Sequence, residues 1–200
     1  MIAATTHLRN ADPVLANIIE RVGPYNLVAR EPSFETLARS ITFQQLNGKA
    51  AGTIFARVKK AAGRRFTATA FLKLTAEELR GCGLSRQKIA SLTDLAERVA
   101  RREINFRRLP DLPDEKIIET LCQVRGVGVW TVQMFLMFAL ERPDVMPLTD
   151  FGIRNAVRKA YGLADMPKPA ELAMLAEKWR PYCSIASWYL WRSLDAQVGI

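Results

Sequence analysis

The sequence predicts an all-α fold of about ten helices, and three observations support that prediction. Apolar residues recur at spacings of three and four along most of the chain. No run alternates polar and apolar residues for long enough to form a strand of a sheet. Capping residues, prolines and glycines divide the periodic stretches into helix-sized segments. A chain of 200 residues suits one domain or two small lobes, with a core large enough to need no disulfide bonds.

Three helices are predicted in the first part of the chain. Asp12-Pro13 is a cap followed by a proline in the first turn, and Gly23-Pro24 ends the helix that it begins. Ser33 caps a second helix, which continues to Phe43. After an Asn-Gly turn signal, a helix of small residues runs to about Ala62.

Two capping signals follow in the middle of the chain. Thr75 begins a capping box. A turn at Gly81-Cys82-Gly83 then leads to a helix capped by Ser85, and this arrangement resembles a degenerate glycine hairpin. Arg86 and Lys88, in the first turn of that helix, could contact a phosphate. The alternative is that Ser85 is an ordinary cap and its basic neighbours are solvated.

A glycine turn interrupts the stretch 121–150, LCQVRGVGVWTVQMFLMFALERPDVMPLTD. A helix predicted over 114–124 breaks at the Arg-Gly-Val-Gly sequence of 125–128, and helical periodicity then resumes for about ten residues. Glycines one residue apart let the backbone reverse and approach a neighbour closely. The first amides of the second helix lack intrahelical partners and lie at the positive end of its dipole. The turn is therefore a candidate site for a phosphate oxygen.

A carboxylate follows the hairpin at a helix start. Prolines end the second helix, and the segment 147–154, PLTDFGIR, begins another helix with Asp150 in or beside its first turn. We expect Asp150 to face the same region as the glycine turn, and the helix N-terminus favours its ionised form. The alternative is a plain helical hairpin in a core, with Asp150 acting as an N-cap.

The composition limits the class of partner and the cellular compartment. Lys and Arg number 29 against 20 Asp and Glu, so the net charge is +9 and a polyanion is a suitable partner, although the charge does not say which one. Cys82, Cys122 and Cys183 form no CxxC pair, which predicts reduced thiols in a cytoplasmic protein. Neither an apolar leader nor an apolar stretch near the roughly 18 residues of a membrane span is present, so we expect no membrane partner.

The order of hairpin, helix, proline-rich loop and aspartate resembles the helix-hairpin-helix DNA glycosylases. The pattern LxxVRGVGxWTVxxxxxxxL...PLTDFGIR resembles most closely the 3-methyladenine DNA glycosylase II branch. The segments RSITFQQLNGKAAGTIF and WRPYCSIASWYLWR are similar to two further stretches of that branch. The chain departs from the family pattern at Pro147-Leu148-Thr149-Asp150, where Gly-Pro-Asp or Pro-Val-Asp is common, and at Cys183, where arginine is common.

The resemblance implies one compact unit with two helical lobes. We expect the first lobe to comprise about 1–35 and 145–200, and the second about 36–144 with the hairpin at 114–140. The glutamine segment begins too early in the chain to leave room for the N-terminal β-domain of larger members. Three cysteines also exclude the four-cysteine iron–sulfur loop of some relatives.

The resemblance also assigns roles to residues. It implies that Asp150 is catalytic and that the hairpin and a glutamine loop bind DNA. The expected DNA-binding residues are Gly126, Val127, Gly128, Thr131, Arg86, Lys88 and Gln45, the last inserted as a wedge with Gln44 packed behind it. Two glutamines in an ordinary loop between helices are the alternative. No cofactor is required, although Na⁺ or K⁺ on the backbone carbonyls of Gly126 and Gly128 is expected.

An extruded, electron-poor base needs aromatic faces to stack on. Trp130 and Trp191 are the first candidates for that pocket, followed by Trp188 and Tyr189. Burial in the core is the alternative for each of these rings. Some relatives place a Schiff-base lysine where this chain has Trp130.

The resemblance implies a monofunctional glycosylase, and we expect the protein to flip alkylated purines, of the 3-methyladenine or 7-methylguanine type, from duplex DNA and to hydrolyse the N-glycosidic bond. We expect a monomer associated with the nucleoid through DNA. The competing hypothesis is a non-catalytic, structure-specific DNA-binding module that has kept the hairpin. A glycosylase with lyase activity on oxidised bases is disfavoured by Trp130.

Overall fold

The structure is a computed structural model that describes residues 2–195 and confirms the all-α prediction. Across that range it contains no strand, and none of its helices is long and apolar enough to span a membrane. The α-helices are α1 (Ile2–Ala11), α2 (Pro13–Val22), α3 (Phe34–Phe43), α4 (Gly48–Ala62), α5 (Ala68–Phe71), α6 (Ala76–Gly81), α7 (Arg86–Ala100), α8 (Asp114–Leu121), α9 (Val129–Phe138), α10 (Phe151–Ala160), α11 (Pro169–Ala176) and α12 (Cys183–Arg192). Short 3₁₀ helices lie at Leu109–Asp111 and Glu177–Trp179.

The chain divides into two compact units. Unit 1 consists of Met1–Ala29 and Leu136–Ile200, and unit 2 consists of Arg30–Phe135. Both ends of the chain thus belong to one unit and the middle to the other. The boundaries expected from the sequence, after 35 and after 144, lie further along the chain than these. The second observed boundary falls inside α9, which helical periodicity presents as one uninterrupted element.

Local capping signals place most of the helices. The side chains of Ser33, Thr75 and Ser85 each accept a hydrogen bond from a first-turn amide, and the capping box at Thr75 is complete. Asp12 caps α2 in the same way. The Asn-Gly turn signal is also a cap, because the Asn47 side chain accepts from an amide of α4 at 2.8 Å. Capping chemistry is local, which explains why these helix starts could be predicted.

The structure contains a helix that the sequence pattern did not predict, α1, and α8 is shorter than predicted. The buried apolar residues of α1 are Ala4 and Leu8, a single pair one turn apart, so its periodic signal is weak. The first arm of the hairpin ends at Leu121 rather than at Val124. The amide of Val124 donates to the carbonyl of Leu121 at 3.1 Å, so the chain leaves the α-helix in a tight turn despite its continuing apolar pattern.

Asp12 is the polar centre of the unit 1 core. Its Oδ1 accepts from the Val14 amide at 3.0 Å, which caps α2. Its Oδ2 accepts from Trp179 Nε1 at 2.8 Å, from the Tyr161 hydroxyl and from Lys178 Nζ at 3.1 Å. Burial alone would raise the pKa of Asp12, but the hydrogen bonds from these side chains outweigh it and the pKa is lowered. The carboxylate therefore ties three separate segments of unit 1 together.

We predict that Asp12→Asn lowers the free energy of unfolding at neutral pH by about 2–4 kcal/mol, because a buried charge-assisted network loses its acceptor. The pKa of Asp12 lies below its ordinary value of 3.8 in the folded state. Its contribution is therefore present above that value and is lost as the pH falls through the folded pKa. Urea unfolding from neutral pH down to about pH 3 should show the difference between wild type and variant narrowing in acid.

The matched control is Asp165→Asn, which removes a charge from an exposed residue of the same unit. That substitution should change stability by less than about 0.5 kcal/mol. An Asp12→Asn variant as stable as the control would contradict the assignment of Asp12 as the centre of the unit 1 core.

Candidate active site

The turn of the hairpin runs from 122 to 128, between α8 and α9. Its two glycines differ in whether a larger residue would fit in their place. Gly126 has a positive φ of 74°, and a Cβ there would lie 2.7 Å from the Ser91 hydroxyl. Gly128 has no positive φ, and no heavy atom lies within 4 Å of where its Cβ would be. Gly126 is therefore required by the fold, whereas Gly128 leaves open space at the start of α9.

The backbone of the turn is held by residues of unit 2. The amide of Arg125 donates to Asp94 Oδ2 at 2.7 Å. The Val127 side chain is buried, and its amide donates to the carbonyl of Val124 at 3.0 Å. The amides of Gly128 and Val129 have no acceptor in the described chain. Of the hairpin amides expected to bind a phosphate, Val127 is thus used within the turn, whereas Gly128 is at the helix start.

The glutamine loop packs on this hairpin within unit 2. Gln44 Nε2 donates to the carbonyl of Gly126 at 3.0 Å and lies 3.3 Å from Thr131 Oγ1. Gln45 is exposed at the end of the loop with a positive φ of 57°. Leu46 beside it is 40% exposed. The structure thus presents an apolar side chain next to the expected polar wedge, and sequence reasoning missed it although apolar wedges are the commoner kind.

The ammonium group of Lys88, which was expected to contact a phosphate, binds two backbone carbonyls instead. Its Nζ donates to the carbonyl of Thr42 and, at 2.8 Å, to the carbonyl of Gln44. Burial lowers the pKa of Lys88. The side chain therefore satisfies the last carbonyls of α3 and the glutamine loop rather than a phosphate. Arg86 remains exposed, and Ser85 is the N-cap that the alternative interpretation proposed.

Trp130 borders a cleft in unit 2, hereafter the Trp130 cleft. Its side chain is 43% exposed, which is unusual for tryptophan. The cleft has a volume of about 550 Å³, within the range of small-molecule sites. Gln44, Gln45, Thr131 and Met134 also line it. The hairpin, the glutamine loop and one of the expected base-pocket tryptophans therefore share one cavity.

Asp150 lies in unit 1, where hydrogen bonds hold its side chain. It is the N-cap of α10, and its Oδ1 accepts from the Ile153 amide at 2.7 Å. The same oxygen accepts from Trp191 Nε1 at 2.9 Å. The side chain is 8% exposed. Capping and catalysis, which the sequence offered as alternatives for Asp150, are compatible in this geometry.

Gly152 and Phe138 hold the Trp191 ring in place, and neither residue was assigned a role from the sequence. A Cβ on Gly152 would lie 3.0 Å from Trp191 Nε1 and 3.1 Å from Asp150 Oδ1, so only glycine leaves room for that hydrogen bond. Phe138 stacks on Trp191 with ring centroids 5.7 Å apart. A glycine in the first turn of a helix costs stability, and this is the signal that could have pointed to a packing role.

Trp188 and Tyr189 are core residues of unit 1. Trp188 is 7% exposed and Tyr189 1% exposed. Their rings pack on each other at 4.9 Å and around Tyr25. The Tyr189 hydroxyl donates to the carbonyl of Gly23 at 3.1 Å. Both rings are therefore buried in the core, which was the alternative to a place in the base pocket.

The backbone carbonyls expected to hold a monovalent cation are already hydrogen-bonded. Gly126 O accepts from Gln44 Nε2 at 3.0 Å, and Gly128 O accepts from the Val132 amide at 3.2 Å. Each carbonyl oxygen has a second lone pair, so these hydrogen bonds do not test the expected cation. The monovalent cation stays a prediction, and we derive no step through a metal ion.

Comparisons with known proteins show the family to which the chain belongs. A family model described as HhH-GPD superfamily base excision DNA repair protein matches residues 38–181. DNA-3-methyladenine glycosylase 1 of Schizosaccharomyces pombe is 36% identical over 197 residues, which cover 95% of this chain and 86% of that protein. The structure of the S. pombe 3-methyladenine DNA glycosylase (Mag1) in complex with abasic DNA matches with a TM-score of 0.87 and 36% identity, over 97% of this chain and 98% of that one.

A DNA-3-methyladenine glycosidase from Bacillus halodurans gives a TM-score of 0.88 at 30% identity, over 97% of this chain and 90% of that one. The family match covers both the hairpin of unit 2 and Asp150 of unit 1. The chain therefore belongs to the HhH-GPD superfamily of base excision DNA repair proteins, in the branch that contains the 3-methyladenine DNA glycosylases.

Proposed function

We propose that this protein is a monofunctional DNA glycosylase that flips alkylated purines, of the 3-methyladenine or 7-methylguanine type, out of double-stranded DNA and hydrolyses the N-glycosidic bond. The observation that carries the proposal is Asp150, a buried carboxylate fixed by a helix amide and by Trp191 at the family's spacing after the hairpin. The names of the relatives support the same class of substrate.

Asp150 supplies the negative charge that the reaction needs. Cutting an N-glycosidic bond builds positive charge on the sugar ring, and a preorganised carboxylate in a water-poor site stabilises that charge. The Ile153 amide and Trp191 Nε1 hold Oδ1 in place, so no reorganisation is needed when the bond breaks. Asp150 would also orient or deprotonate the attacking water.

The leaving group explains why no strong general acid is required. A purine alkylated at N3 or N7 already carries a positive charge and departs as a neutral base. Recognition of such a base falls to aromatic faces, which attract cations and stack on extruded bases. Trp130 is half exposed in its cleft, and Trp191 lies against Asp150, so these two rings are the proposed contacts. Gln45 and Leu46 are the proposed wedge.

We further propose that the protein does not cleave the strand through a lysine adduct and that it acts as a monomer. Trp130 stands where some relatives carry the Schiff-base lysine. The competing function, a DNA-binding module without catalysis, would bind duplex DNA and release no base.

Asp150→Asn tests the proposed catalytic role of the carboxylate. Loss of the charge should slow single-turnover base release by on the order of 10²–10³-fold, as expected for a preorganised electrostatic group. The amide is isosteric, so the fold and the binding of abasic DNA should persist. Methylated duplex DNA is the substrate, released bases are separated by chromatography, and strand nicking is measured with and without hot alkali. Asp165→Asn is the matched control for the change in charge.

Each other outcome has a definite meaning. Base release by Asp150→Asn at the wild-type rate would remove Asp150 from the mechanism. A wild-type protein that binds duplex DNA but releases no base would support the non-catalytic module. Nicking without alkali, together with a borohydride-trapped adduct, would support a glycosylase with lyase activity.

Gly152→Ala tests whether the bond between Asp150 and Trp191 matters for the rate. The added Cβ must displace Trp191 or the carboxylate by a few tenths of an ångström. We expect base release to slow about tenfold, since small misplacements of reacting groups are costly. Gly81→Ala is the control, because nothing lies within 4 Å of its Cβ position. Equal rates for Gly152→Ala and wild type would show that this hydrogen bond does not limit catalysis.

The two hairpin glycines should respond differently to alanine. Gly126→Ala meets both a positive φ and the Ser91 hydroxyl, so it should destabilise the protein by roughly 1–3 kcal/mol. Gly128→Ala should leave stability unchanged but weaken binding of an abasic duplex, because its methyl group projects into space that a strand would occupy. Thermal unfolding and fluorescence anisotropy separate the two effects. Wild-type DNA affinity in Gly128→Ala would place the strand away from the hairpin.

A further inference from the structure

Arg39 lies on α3, one turn before Phe43, and its guanidinium stacks on the phenylalanine ring. The guanidinium carbon is 3.7 Å from the ring centroid. Such a cation–π contact holds the group over the ring. The ring provides no oxygen acceptor, so the five N–H donors of the guanidinium remain available to a ligand.

No protein group neutralises Arg39 in the part of the chain that the structure describes. The side chain makes no ion pair or hydrogen bond between residues 2 and 195. Burial lowers the pKa of Arg39, and repulsion from Arg30 lowers it further. A guanidinium nevertheless stays charged in proteins. Partial burial of this cation costs desolvation free energy, and no acceptor in the described chain offsets that cost. This points to an acceptor supplied by a ligand.

Arg39 borders the Trp130 cleft. It is the one charged residue in the lining, and the other polar groups there are uncharged, among them Ser40, Gln44 and Gln87. The lining also includes Gly126 of the hairpin and the exposed Gln45. An anion entering this cleft would thus meet a single fixed cation surrounded by hydroxyl and amide donors, beside the two loops assigned to DNA.

The charge of Arg39 decides which part of a nucleotide it suits. The proposed substrates carry a cationic base, and a guanidinium in the same cleft would repel that base. A phosphodiester is an anion whose oxygens match the donor fork of arginine. The phosphate of the strand, rather than the base, is therefore the complementary partner.

We propose that Arg39, held in place by Phe43, binds a phosphodiester of the DNA strand that carries the flipped nucleotide. This inference rests on the proposed function, since it takes DNA as the ligand. It assigns to Arg39 a contact with the backbone, so its effect on binding does not depend on which base is being removed.

The test uses a duplex with an abasic-site analogue, which binds without reacting. We expect Arg39→Gln to weaken binding roughly tenfold at moderate salt. The slope of log affinity against log salt concentration should become shallower by about 0.9, the value for one lost phosphate contact. Arg39→Lys keeps the charge and should retain most of the slope. Arg57→Gln, which removes an exposed arginine of α4, is the control for net charge and should keep the wild-type slope.

A second measurement distinguishes phosphate from base. Base release is followed at subsaturating enzyme from DNA that contains 7-methylguanine, which is cationic while it is attached to the sugar, and from DNA that contains hypoxanthine, which is neutral. A phosphate contact predicts the same fold-loss for both in Arg39→Gln. A loss confined to one base, or an Arg39→Gln slope equal to that of Arg57→Gln, would overturn the proposal. Phe43→Leu keeps the charge but removes the stack, and it should weaken binding less than Arg39→Gln; the reverse order would also overturn it.

This design separates the inference from the proposed function. The abasic duplex reports on Arg39 even if the wild-type protein releases no base, because binding is measured without reaction. A failure of base release with a normal Arg39 effect would overturn the glycosylase proposal alone. A normal rate of base release with no effect of Arg39 on binding would overturn the phosphate contact alone.

Discussion

Unit 1 buries two carboxylates, and each is held by the first turn of the helix that it caps and by an indole N–H. Asp12 caps α2 and accepts from Trp179, and Asp150 caps α10 and accepts from Trp191. A buried carboxylate is costly unless donors replace the water that it loses. Helix amides supply such donors where the chain begins a helix, and tryptophan supplies one without adding a second charge. The positions of α2, α10 and α12 in unit 1 depend on satisfying these two groups.

The two sites differ in how deeply the carboxylate is buried and in how its oxygens accept from the named donors. Asp12 is fully buried and lies 3.1 Å from the ammonium of Lys178, so its charge is balanced within the fold. Asp150 is 8% exposed, and both Ile153 and Trp191 donate to the same oxygen. The first arrangement stabilises the protein, whereas the proposed function assigns the second to catalysis, where a preorganised carboxylate is needed. The same local motif can thus hold a carboxylate for either purpose, and the sequence alone does not distinguish the two.

The sequence predicted what depends on local signals and failed where distant segments meet. Caps at Ser33, Thr75 and Ser85 were correct because the residues that they bond lie three positions away. The position of Asp150 at the start of α10 could be predicted for the same reason, since it accepts from the amide of Ile153. The hydrogen bond from Trp191 to Asp150 joins residues 41 positions apart, and no pattern of spacing reveals it.

Long-range contacts also explain two residues whose environment the sequence did not reveal. Lys88 reaches the carbonyl of Gln44, 44 positions away, and so serves the glutamine loop. A sequence shows its charge but not its partner. Cys183 replaces a common arginine of the family, and the structure buries it completely beside the pair formed by Arg180 and Asp144. An arginine there would need its own acceptor, and burial raises the pKa of the thiol, so the cysteine stays neutral.

Under the proposed function, a protein of net charge +9 removes cationic bases, so it must obtain affinity and selectivity from different groups. The long-range attraction is to the phosphate backbone, and it would repel an isolated cationic base. Selectivity therefore has to arise at short range, where aromatic faces and a carboxylate act on the extruded base and sugar. Trp130 and Asp150 are groups of that kind, and neither adds a positive charge. A cation beside Trp130, as Arg39 is, would oppose this selectivity unless an anion of the DNA neutralises it.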